Sequence, residues 1–240
     1  MSDFRFKQFA VRQTTTPMKV GTDGVLLGAW VGVRPDDRTV LDVGTGTGVI
    51  ALMLAQRTAM AETPAEITGV DVADVEEARF NAERTPWRER LHFVQCAVQQ
   101  FVADEPFDLI VSNPPFFTES LLCPDEGRTT ARHTVELPFE ELRDAVLRLL
   151  SPTGRFAWVL PVTEAERFIA LCKGVLTVTR RTEVRTTPRH PAKRVLVEMQ
   201  RTERVGTTDC PAEELMIGTG RHEEYTEAYR RLTGDFYLKF

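Results

Sequence analysis

The sequence predicts an α/β fold in which a mostly parallel, seven-stranded sheet carries helices on both faces and ends in an antiparallel hairpin. Apolar, β-branched segments alternate with helical patterns over most of the 240 residues, and this alternation is typical of parallel sheets. The last two predicted strands are separated by only residues 186–192, too few for a crossover helix, so they must pair antiparallel. The predicted strands lie near 39–43, 66–71, 91–95, 107–112, 154–160, 176–185 and 193–200.

A glycine-rich turn follows the first predicted strand. The strand runs through Asp42 into Gly44, Gly46 and Gly48, and an apolar helical pattern begins directly afterwards. Alternating glycines let the backbone approach a ligand, and the amino terminus of the helix offers free N–H groups. The spacing differs from the Gly-x-Gly-x-x-Gly pattern that binds a dinucleotide. The Asp42 carboxylate instead suits a ligand that carries an amino group or a positive charge, such as the methionine part of S-adenosylmethionine.

An acidic residue, Asp71, ends the second predicted strand. It lies about 20 positions beyond the last turn glycine, where a carboxylate that binds ribose hydroxyls is found in such folds. The less favoured alternative is that Asp71 is an ordinary cap for the helical pattern that follows at 74–79. The sequence leaves both interpretations open.

The fourth predicted strand ends in the motif Asn113-Pro114-Pro115-Phe116. The two prolines restrict the backbone, so the Asn113 side chain and the Pro114 carbonyl become hydrogen-bond acceptors of fixed direction. Two fixed acceptors beside an aromatic ring suit a planar amine, whose lone pair they localise by binding both N–H groups; this is orientational and electrostatic catalysis. The alternative is a proline-rich turn that merely ends a strand.

These motifs occur in order at the ends of successive strands, and the chain thereby resembles the class I S-adenosylmethionine-dependent methyltransferases with an Asn-Pro-Pro-aromatic motif. Two flanking segments, residues 18–30 and 113–134, are similar to the bacterial tRNA1(Val) adenine-N6 methyltransferases. The similarity extends from about Phe4 to about Arg201. It implies a Rossmann-like fold and transfer of a methyl group from S-adenosylmethionine to N6 of the adenosine just 3′ of the tRNA anticodon.

The resemblance also implies roles for individual residues. The glycine turn and the carboxylate before it contact the methionine end of the cofactor, Asp71 contacts its ribose, and Thr22 and Asp23 form a lid. The implied cofactor-binding set is Thr22, Asp23, Asp42, Gly44, Gly46, Gly48, Asp71, Ala97, Val98 and Asn113. The implied catalytic set is Asn113, Pro114, Pro115 and Phe116, and its asparagine and first proline hold the adenine N6.

The chain departs from the family at two positions. Phe116 stands where the family often has tyrosine, so stacking is kept but a phenol cannot be essential. After the third strand the chain has Gln95 to Val98 where the family commonly has an acidic residue. Recognition of the cofactor's adenine is therefore expected to use backbone groups of Ala97 and Val98.

The net charge of −5 argues against a general polyanion-binding protein, but basic residues are concentrated in two segments. If both segments border the Asn-Pro-Pro motif, they form a basic rim that could bind an RNA stem-loop; the alternative is a solvated charged edge. The late segment contains Arg180, Arg181, Arg185, Arg189, Lys193, Arg194, Arg201 and Arg204, and the early one contains Arg5, Lys7, Arg12 and Lys19. The predicted RNA contacts are Lys19, Arg189, Lys193 and Arg194.

A long segment with little periodicity, residues 117–137, follows the Asn-Pro-Pro strand. Loops of that length in compact domains are usually functional or disordered. Its Arg128, Arg132 and His133 are further predicted phosphate or base contacts. His133 could also act as a general base, but an amine that attacks a sulfonium needs no prior deprotonation, so an RNA-contacting or structural role is favoured.

Composition predicts one α/β domain with additions at its ends. Together with the resemblance, this implies a cofactor-lid and RNA-contact extension at 1–34, a methyltransferase domain at 35–205 and an appendage at 206–240 that contains a helix near 225–232. No apolar stretch is long enough to span a bilayer, and the polar amino terminus is no secretory signal, so a cytoplasmic protein is expected. The four cysteines are scattered, which predicts neither a metal nor a redox site. The oligomeric state is left open.

Other functions share the same motif. Glutamine-N5 methylation of release factors and guanine-N2 methylation of ribosomal RNA both use Asn-Pro-Pro-aromatic residues, and a cofactor-binding RNA-interaction protein without activity is the non-enzymatic alternative. The basic segments favour RNA. An anticodon loop suits the motif because a base must leave its stack to enter such a pocket, which costs least in a single-stranded loop.

Overall fold

The structure is a computed structural model that describes residues 3–16, 18–115, 137–207 and 209–239. Its strands are β1 (Phe4–Arg5), β2 (Ala10–Val11), β3 (Thr39–Val43), β4 (Glu66–Asp71), β5 (Leu91–Gln95), β6 (Phe107–Ser112), β7 (Leu150–Pro161), β8 (Leu176–Arg185), β9 (Arg194–Arg201) and β10 (Glu213–Met216). Its α-helices are α1 (Thr22–Trp30), α2 (Val49–Thr58), α3 (Glu76–Glu83), α4 (Phe139–Leu149), α5 (Val162–Cys172), α6 (Thr202–Val205) and α7 (Glu227–Thr233). Beyond these, Arg88–Arg90 forms a short 3₁₀ helix.

Eight strands form the central sheet, in the order β10-β8-β9-β7-β6-β3-β4-β5. Strands β3 to β7 run parallel, whereas β9 pairs antiparallel with both β7 and β8. The predicted mostly parallel α/β sheet with an antiparallel hairpin is therefore confirmed. The two-stranded hairpin of β1 and β2 lies apart from this sheet.

The eighth strand, β10, was not predicted. It pairs in parallel with β8 at the sheet edge, and its four residues begin with two glutamates. A short, charged strand is typical of a sheet edge, where it discourages pairing with other chains, but it gives no apolar pattern to detect. Because β10 joins the central sheet and α7 packs against α1, residues 213–233 take part in the main core; the domain boundaries drawn from sequence remain a prediction.

Side chains alternate between the two faces of the sheet and build two separate hydrophobic cores. Helices α1, α2, α3 and α7 cover one face, where Val40, Leu109 and Val111 are buried. Helices α4 and α5 cover the other, where Trp158 and Phe168 pack edge to face. The strands are therefore apolar on both faces, as expected for a buried parallel sheet.

A buried ion pair ties β7 to the segment that precedes β3. The Arg155 guanidinium donates to both oxygens of Asp37, over 3.0 and 2.8 Å, and to the Gly32 carbonyl over 2.7 Å. Both side chains are almost completely buried. This pair lies beside the amino-terminal ends of the parallel strands, away from the edge where ligands bind in such folds.

Candidate active site

The order in which strands are added to the sheet reverses between β3 and β6. From β3 the chain adds β4 and β5 on one side, and it then returns to add β6 on the other side of β3. The carboxyl ends of strands at such a switch point form the usual ligand crevice of an open α/β sheet. The predicted residues Gly44, Asp71, Ala97 and Asn113 follow or end β3, β4, β5 and β6. The structure therefore places the predicted cofactor and amine sites along one edge.

The three turn glycines all have positive φ angles: +74° for Gly44, +52° for Gly46 and +79° for Gly48. Their surroundings differ. A Cβ atom at Gly44 would meet nothing within 4 Å, whereas one at Gly48 would lie 3.2 Å from both Ala78 and Phe93. Gly44 thus faces open space where a ligand can approach, and Gly48 is needed for close packing against α3 and β5.

Asp71 holds the glycine turn at the end of β4. Its Oδ2 accepts a hydrogen bond from the Gly46 N–H over 2.9 Å, and its Oδ1 accepts one from the Ala73 N–H over 2.9 Å. The side chain remains partly exposed, and each carboxylate oxygen can accept a second hydrogen bond. Asp71 therefore closes a local turn, as a capping residue would, and still presents acceptors for a ribose.

Asp42 lies beneath the glycine turn and is fully buried. Its Oδ2 accepts from Thr45 Oγ1 over 2.8 Å and from the Ala51 N–H over 3.3 Å. Burial raises the pKa of Asp42 to about 7 and the nearby Asp71 carboxylate adds to this effect, although both hydrogen bonds oppose it. Asp42 thereby ties the turn to α2; its direct contact with a ligand remains a prediction.

Asn113, the predicted catalytic asparagine, lies at the end of β6 on the side of the sheet that α1 covers. Its Nδ2 is 4.0 Å from the sulfur of Met18, which is a weak acceptor. A Cβ atom at Gly24, near the start of α1, would lie 3.9 Å from the same nitrogen. Within the described part of the chain, Oδ1 of Asn113 is buried and has no hydrogen-bond partner. An unused acceptor at this edge suits a substrate amine.

The two proline positions are described, and the aromatic position is not. Pro114 is buried and Pro115 is half-buried behind the asparagine. Phe116 and the predicted RNA contacts Arg128, Arg132 and His133 lie outside the described residues. Their roles remain predictions.

The predicted lid residues begin α1 and connect it to the β8–β9 hairpin. Thr22 is the first residue of the helix and is exposed. Asp23 accepts a hydrogen bond from Arg194 Nε over 2.7 Å in a partly exposed ion pair. Arg194, which was predicted to contact RNA, is thus already engaged with the proposed lid. Lys19 likewise donates to the carbonyls of residues 13 and 16.

The late basic segment is divided between two opposite edges of the sheet, the one at the carboxyl ends of the parallel strands and the one at their amino ends. Arg194 pairs with Pro161 at the carboxyl end of β7, so the hairpin loop that contains the exposed Arg189 and Lys193 lies at the same edge as the Asn-Pro-Pro motif. Arg201 lies at the far end of β9 and donates to carbonyls of α4 and β7. A single basic rim formed by the whole segment is therefore excluded, because the strand carries its two ends to opposite edges.

The backbone groups predicted to recognise the cofactor's adenine form a turn after β5. The Ala97 carbonyl accepts from the N–H groups of Gln100 and Phe101, and the Val98 carbonyl accepts from Arg148. Since both carbonyls are already used, the N–H groups of this turn are better suited to a ligand. The Val98 side chain is buried in the core.

Two important residues on α3 were missed by sequence reasoning. Glu77 and Asn81 are both buried and hold residues 12–16 beside the glycine turn. Their spacing of four positions places them on one helix face, next to Ala78, which packs near Gly48. That spacing was a detectable signal, but their partners more than 60 residues away were not.

The described residues contain no group of three or more histidine, cysteine or acidic side chains that could hold a metal ion. Within the same ranges, no helix has the length and apolar character needed to cross a membrane.

Comparison with known proteins shows relatives over the full chain. A family model for the methyltransferase small domain matches residues 25–126. A tRNA1(Val) (adenine(37)-N6)-methyltransferase of Bacteroides fragilis is 43% identical over 98% of both chains. Proteins of the same name from Flavobacterium psychrophilum and Trichodesmium erythraeum are 42% and 39% identical over 98% and 100% of this chain, covering 99% of each relative.

Solved structures with the same fold are more distant in sequence. One, described as a predicted O-methyltransferase from Agrobacterium tumefaciens, has a TM-score of 0.68 at 19% identity and covers 89% of this chain and 96% of its own. The glycopeptide N-methyltransferase MtfA, complexed with S-adenosylmethionine, has a TM-score of 0.53 at 15% identity, with 79% of this chain and all of its own chain covered. These similarities establish the class I methyltransferase fold.

Proposed function

Because the chain belongs to the tRNA1(Val) (adenine(37)-N6)-methyltransferase family, we propose that it transfers a methyl group from S-adenosylmethionine to N6 of an adenosine in tRNA. The family assignment sets the reaction, and one structural observation supports the site: Oδ1 of Asn113, at the switch point of the sheet, is buried and has no hydrogen-bond partner among the described residues. We propose the adenosine next to the anticodon as the target, since the relatives are named for position 37.

The site fits S-adenosylmethionine. Gly44 leaves open space above the turn, and Asp71 presents partly exposed carboxylate oxygens at the neighbouring strand end. The first can accommodate the methionine end of the cofactor and the second its ribose hydroxyls. When bound, the cofactor supplies an electrophilic methyl group on a sulfonium.

Asn113 positions the amine that receives this methyl group. Its Oδ1 can accept one N–H bond of a planar amine, and the Pro114 carbonyl can accept another because the consecutive prolines fix its direction. Binding both N–H groups at fixed angles localises the nitrogen lone pair, which the conjugated ring otherwise withdraws. Orientation therefore carries the catalysis, and no strong base is needed at the moment of attack.

The RNA side of the proposal depends on the hairpin loop between β8 and β9. Its exposed Arg189 and Lys193 lie at the edge that carries Asn113, where they can contact phosphates of an anticodon stem-loop. A tRNA substrate also implies that the protein acts in the cytoplasm.

The test combines purified protein, labelled S-adenosylmethionine and unmodified total tRNA. N6-methyladenosine confined to an anticodon-loop fragment is the expected product. Parallel reactions replace the tRNA with ribosomal RNA or with a release factor. No label in tRNA, together with N2-methylguanosine in ribosomal RNA or N5-methylglutamine in a release factor, would refute the tRNA assignment but keep the proposed amine site.

An Asn113→Ala variant separates enzyme from binding protein. We expect it to bind tRNA as the wild type does and to lose methyl transfer, because the acceptor for the amine is removed. If the wild type bound both tRNA and cofactor but gave no methylated product from any of these substrates, the enzymatic proposal would fail.

A further inference from the structure

A buried carboxylate on α3 holds a segment near the amino terminus. Glu77 has 2% of its surface exposed, and both of its oxygens accept hydrogen bonds from residues 14–16. Oε1 accepts from the Thr14 N–H over 2.6 Å, the Thr14 hydroxyl over 2.8 Å and the Thr15 N–H over 3.3 Å. Oε2 accepts from the Thr16 N–H over 2.9 Å and the Thr16 hydroxyl over 2.5 Å.

The ionised state of this carboxylate is favoured by the segment it holds. Burial disfavours the charge, but the hydrogen bonds from Thr16 and Thr14 outweigh this and hold the pKa of Glu77 well below its usual range. Arg12 lies 3.6 Å away as the nearest cation. A charge buried this deeply is tolerated because several donors converge on it.

Asn81, one helical turn further along α3, joins the same segment to the glycine turn. Its Oδ1 accepts from the Arg12 N–H over 2.8 Å, and its Nδ2 donates over 3.0 Å to each of the carbonyls of Arg12 and Thr47. Thr47 lies between the second and third glycines of the turn. One face of α3 therefore holds the amino-terminal segment and the glycine turn in a fixed position relative to each other.

The segment lies beside the turn at its middle glycine. The methyl carbon of Thr16 would lie 3.6 Å from a Cβ atom at Gly46. The Gly46 N–H in turn donates to Asp71, the proposed ribose ligand. Glu77 is thus hydrogen-bonded to Thr16, Thr16 lies beside Gly46, and Gly46 is hydrogen-bonded to Asp71.

We propose that Glu77 is a positioning residue for the S-adenosylmethionine site, which it serves by holding residues 14–16 against the glycine turn. The inference rests on the proposed function, because it assigns this turn to the cofactor. Glu77 does not touch the ligand; it fixes one wall of the pocket and, through Gly46, the direction of Asp71. If residues 14–16 were held only to complete the core, loosening them would lower stability and leave cofactor affinity unchanged.

The test is a Glu77→Gln variant, whose amide keeps the shape of the carboxylate but offers one acceptor oxygen in place of two. Its NH₂ group must then face the N–H donors of either Thr14 or Thr16, which loses several hydrogen bonds to a charged group. We expect the Kd for S-adenosylhomocysteine, measured by titration calorimetry, to rise by about tenfold or more. The KM for S-adenosylmethionine should rise in parallel, while kcat at saturating cofactor stays close to that of the wild type.

A matched control is available one position earlier. Glu76→Gln removes the same charge from the same turn of α3, but the Glu76 side chain is exposed and pairs at the surface with Arg79. It should leave the Kd unchanged. Thr16→Val supplies a second test that leaves α3 intact: it removes one donor to Glu77 and keeps the methyl group beside Gly46, and it should raise the Kd by a smaller factor.

The outcomes separate this inference from the proposed function. If the wild type binds S-adenosylhomocysteine and the Glu77→Gln and Thr16→Val variants bind it equally well, with only their melting temperatures lowered, the positioning role is refuted. A wild type that does not bind S-adenosylhomocysteine would instead refute the cofactor assignment. If Glu77→Gln does not fold, Thr16→Val decides the question through the same Kd.

Discussion

Two alanine substitutions in the glycine turn test whether its open side is the cofactor site. Gly44→Ala and Gly48→Ala both place an L side chain at a strongly positive φ, +74° and +79° respectively. The left-handed backbone costs each variant about 1–2 kcal/mol of stability. They differ in what the new methyl group meets: open space at Gly44, and Ala78 and Phe93 at 3.2 Å at Gly48.

This difference in surroundings predicts opposite effects on stability and binding. Crowding in a packed interior costs about 1–3 kcal/mol, so Gly48→Ala should lose about 2–5 kcal/mol in total and Gly44→Ala only the backbone share. The methyl group of Gly44→Ala occupies the space assigned to the ligand. We expect it to raise the Kd for S-adenosylhomocysteine by about tenfold or more, equivalent to about 1.4 kcal/mol.

The assays are urea unfolding for stability and titration calorimetry for S-adenosylhomocysteine affinity, run on both variants and the wild type. The informative result is a crossed pattern, in which Gly44→Ala is the weaker binder and Gly48→Ala the less stable protein. Wild-type affinity in Gly44→Ala would show that the ligand does not lie over this part of the turn, and the placement of the methionine end would be wrong.

Three further predictions concern stability, pH and RNA. Asp37→Ala should lower the free energy of unfolding, measured in urea, by about 3 kcal/mol, the lower end for a broken buried pair. It removes both Asp37 hydrogen bonds from the buried Arg155 guanidinium, but Glu198 remains 3.7 Å away. Asp42→Asn should become more stable relative to wild type as the pH rises from 5 to 8. The reason is that the folded pKa of Asp42, about 7, lies above that of an unfolded aspartate, so its ionisation opposes folding across this window. Arg189→Ala combined with Lys193→Ala should weaken tRNA binding and reduce its salt dependence by about two phosphate contacts, measured by filter binding. Arg204→Ala should not, because Arg204 lies in α6, directly after the end of β9 that is opposite the hairpin loop.

Each of these predictions has an outcome that contradicts it. A loss under 1 kcal/mol for Asp37→Ala, about the value of an exposed pair, would mean that the ion pair is hydrated. A stability difference between wild type and Asp42→Asn that does not change with pH would place the Asp42 pKa near its ordinary value. Equal effects of the loop variant and Arg204→Ala on tRNA binding would mean that RNA does not approach the edge that carries Asn113.

The sequence was sufficient for seven of the eight strands of the central sheet, for their mostly parallel direction with an antiparallel hairpin, and for the loops that meet at one edge. The reason is physical: buried parallel strands are continuous apolar runs, and a turn such as the one at Gly44 must be glycine to reach its φ angle. The order of the strands within the sheet, and with it the switch point between β3 and β6, comes from the structure. The four predicted positions Gly44, Asp71, Ala97 and Asn113 needed no further information to be brought to that edge.

What the sequence could not show is which way each residue faces. In the sequence the three glycines of the turn are evenly spaced and cannot be told apart. In the structure, Gly48 packs in the interior against Phe93, whereas Gly44 faces open space. The late basic segment looks continuous, but the antiparallel strand β9 carries Arg201 to the opposite edge. The hydrogen bonds between Glu77 and Thr16 join residues 61 positions apart, so no local periodicity in the sequence predicts them.

In the part of the chain that the structure describes, two buried oxygens without a hydrogen-bond partner lie beside the proposed crevice. Among the described residues, three side-chain oxygens are buried without a partner, and they belong to Asp42, Gln56 and Asn113. Native proteins satisfy nearly all buried polar groups, because an unmet acceptor costs free energy. Two of the three oxygens lie at the carboxyl ends of β3 and β6, on either side of the switch point. Under the proposed reaction, an amine donor would satisfy the Asn113 oxygen, and the Asn113→Ala variant tests that pairing.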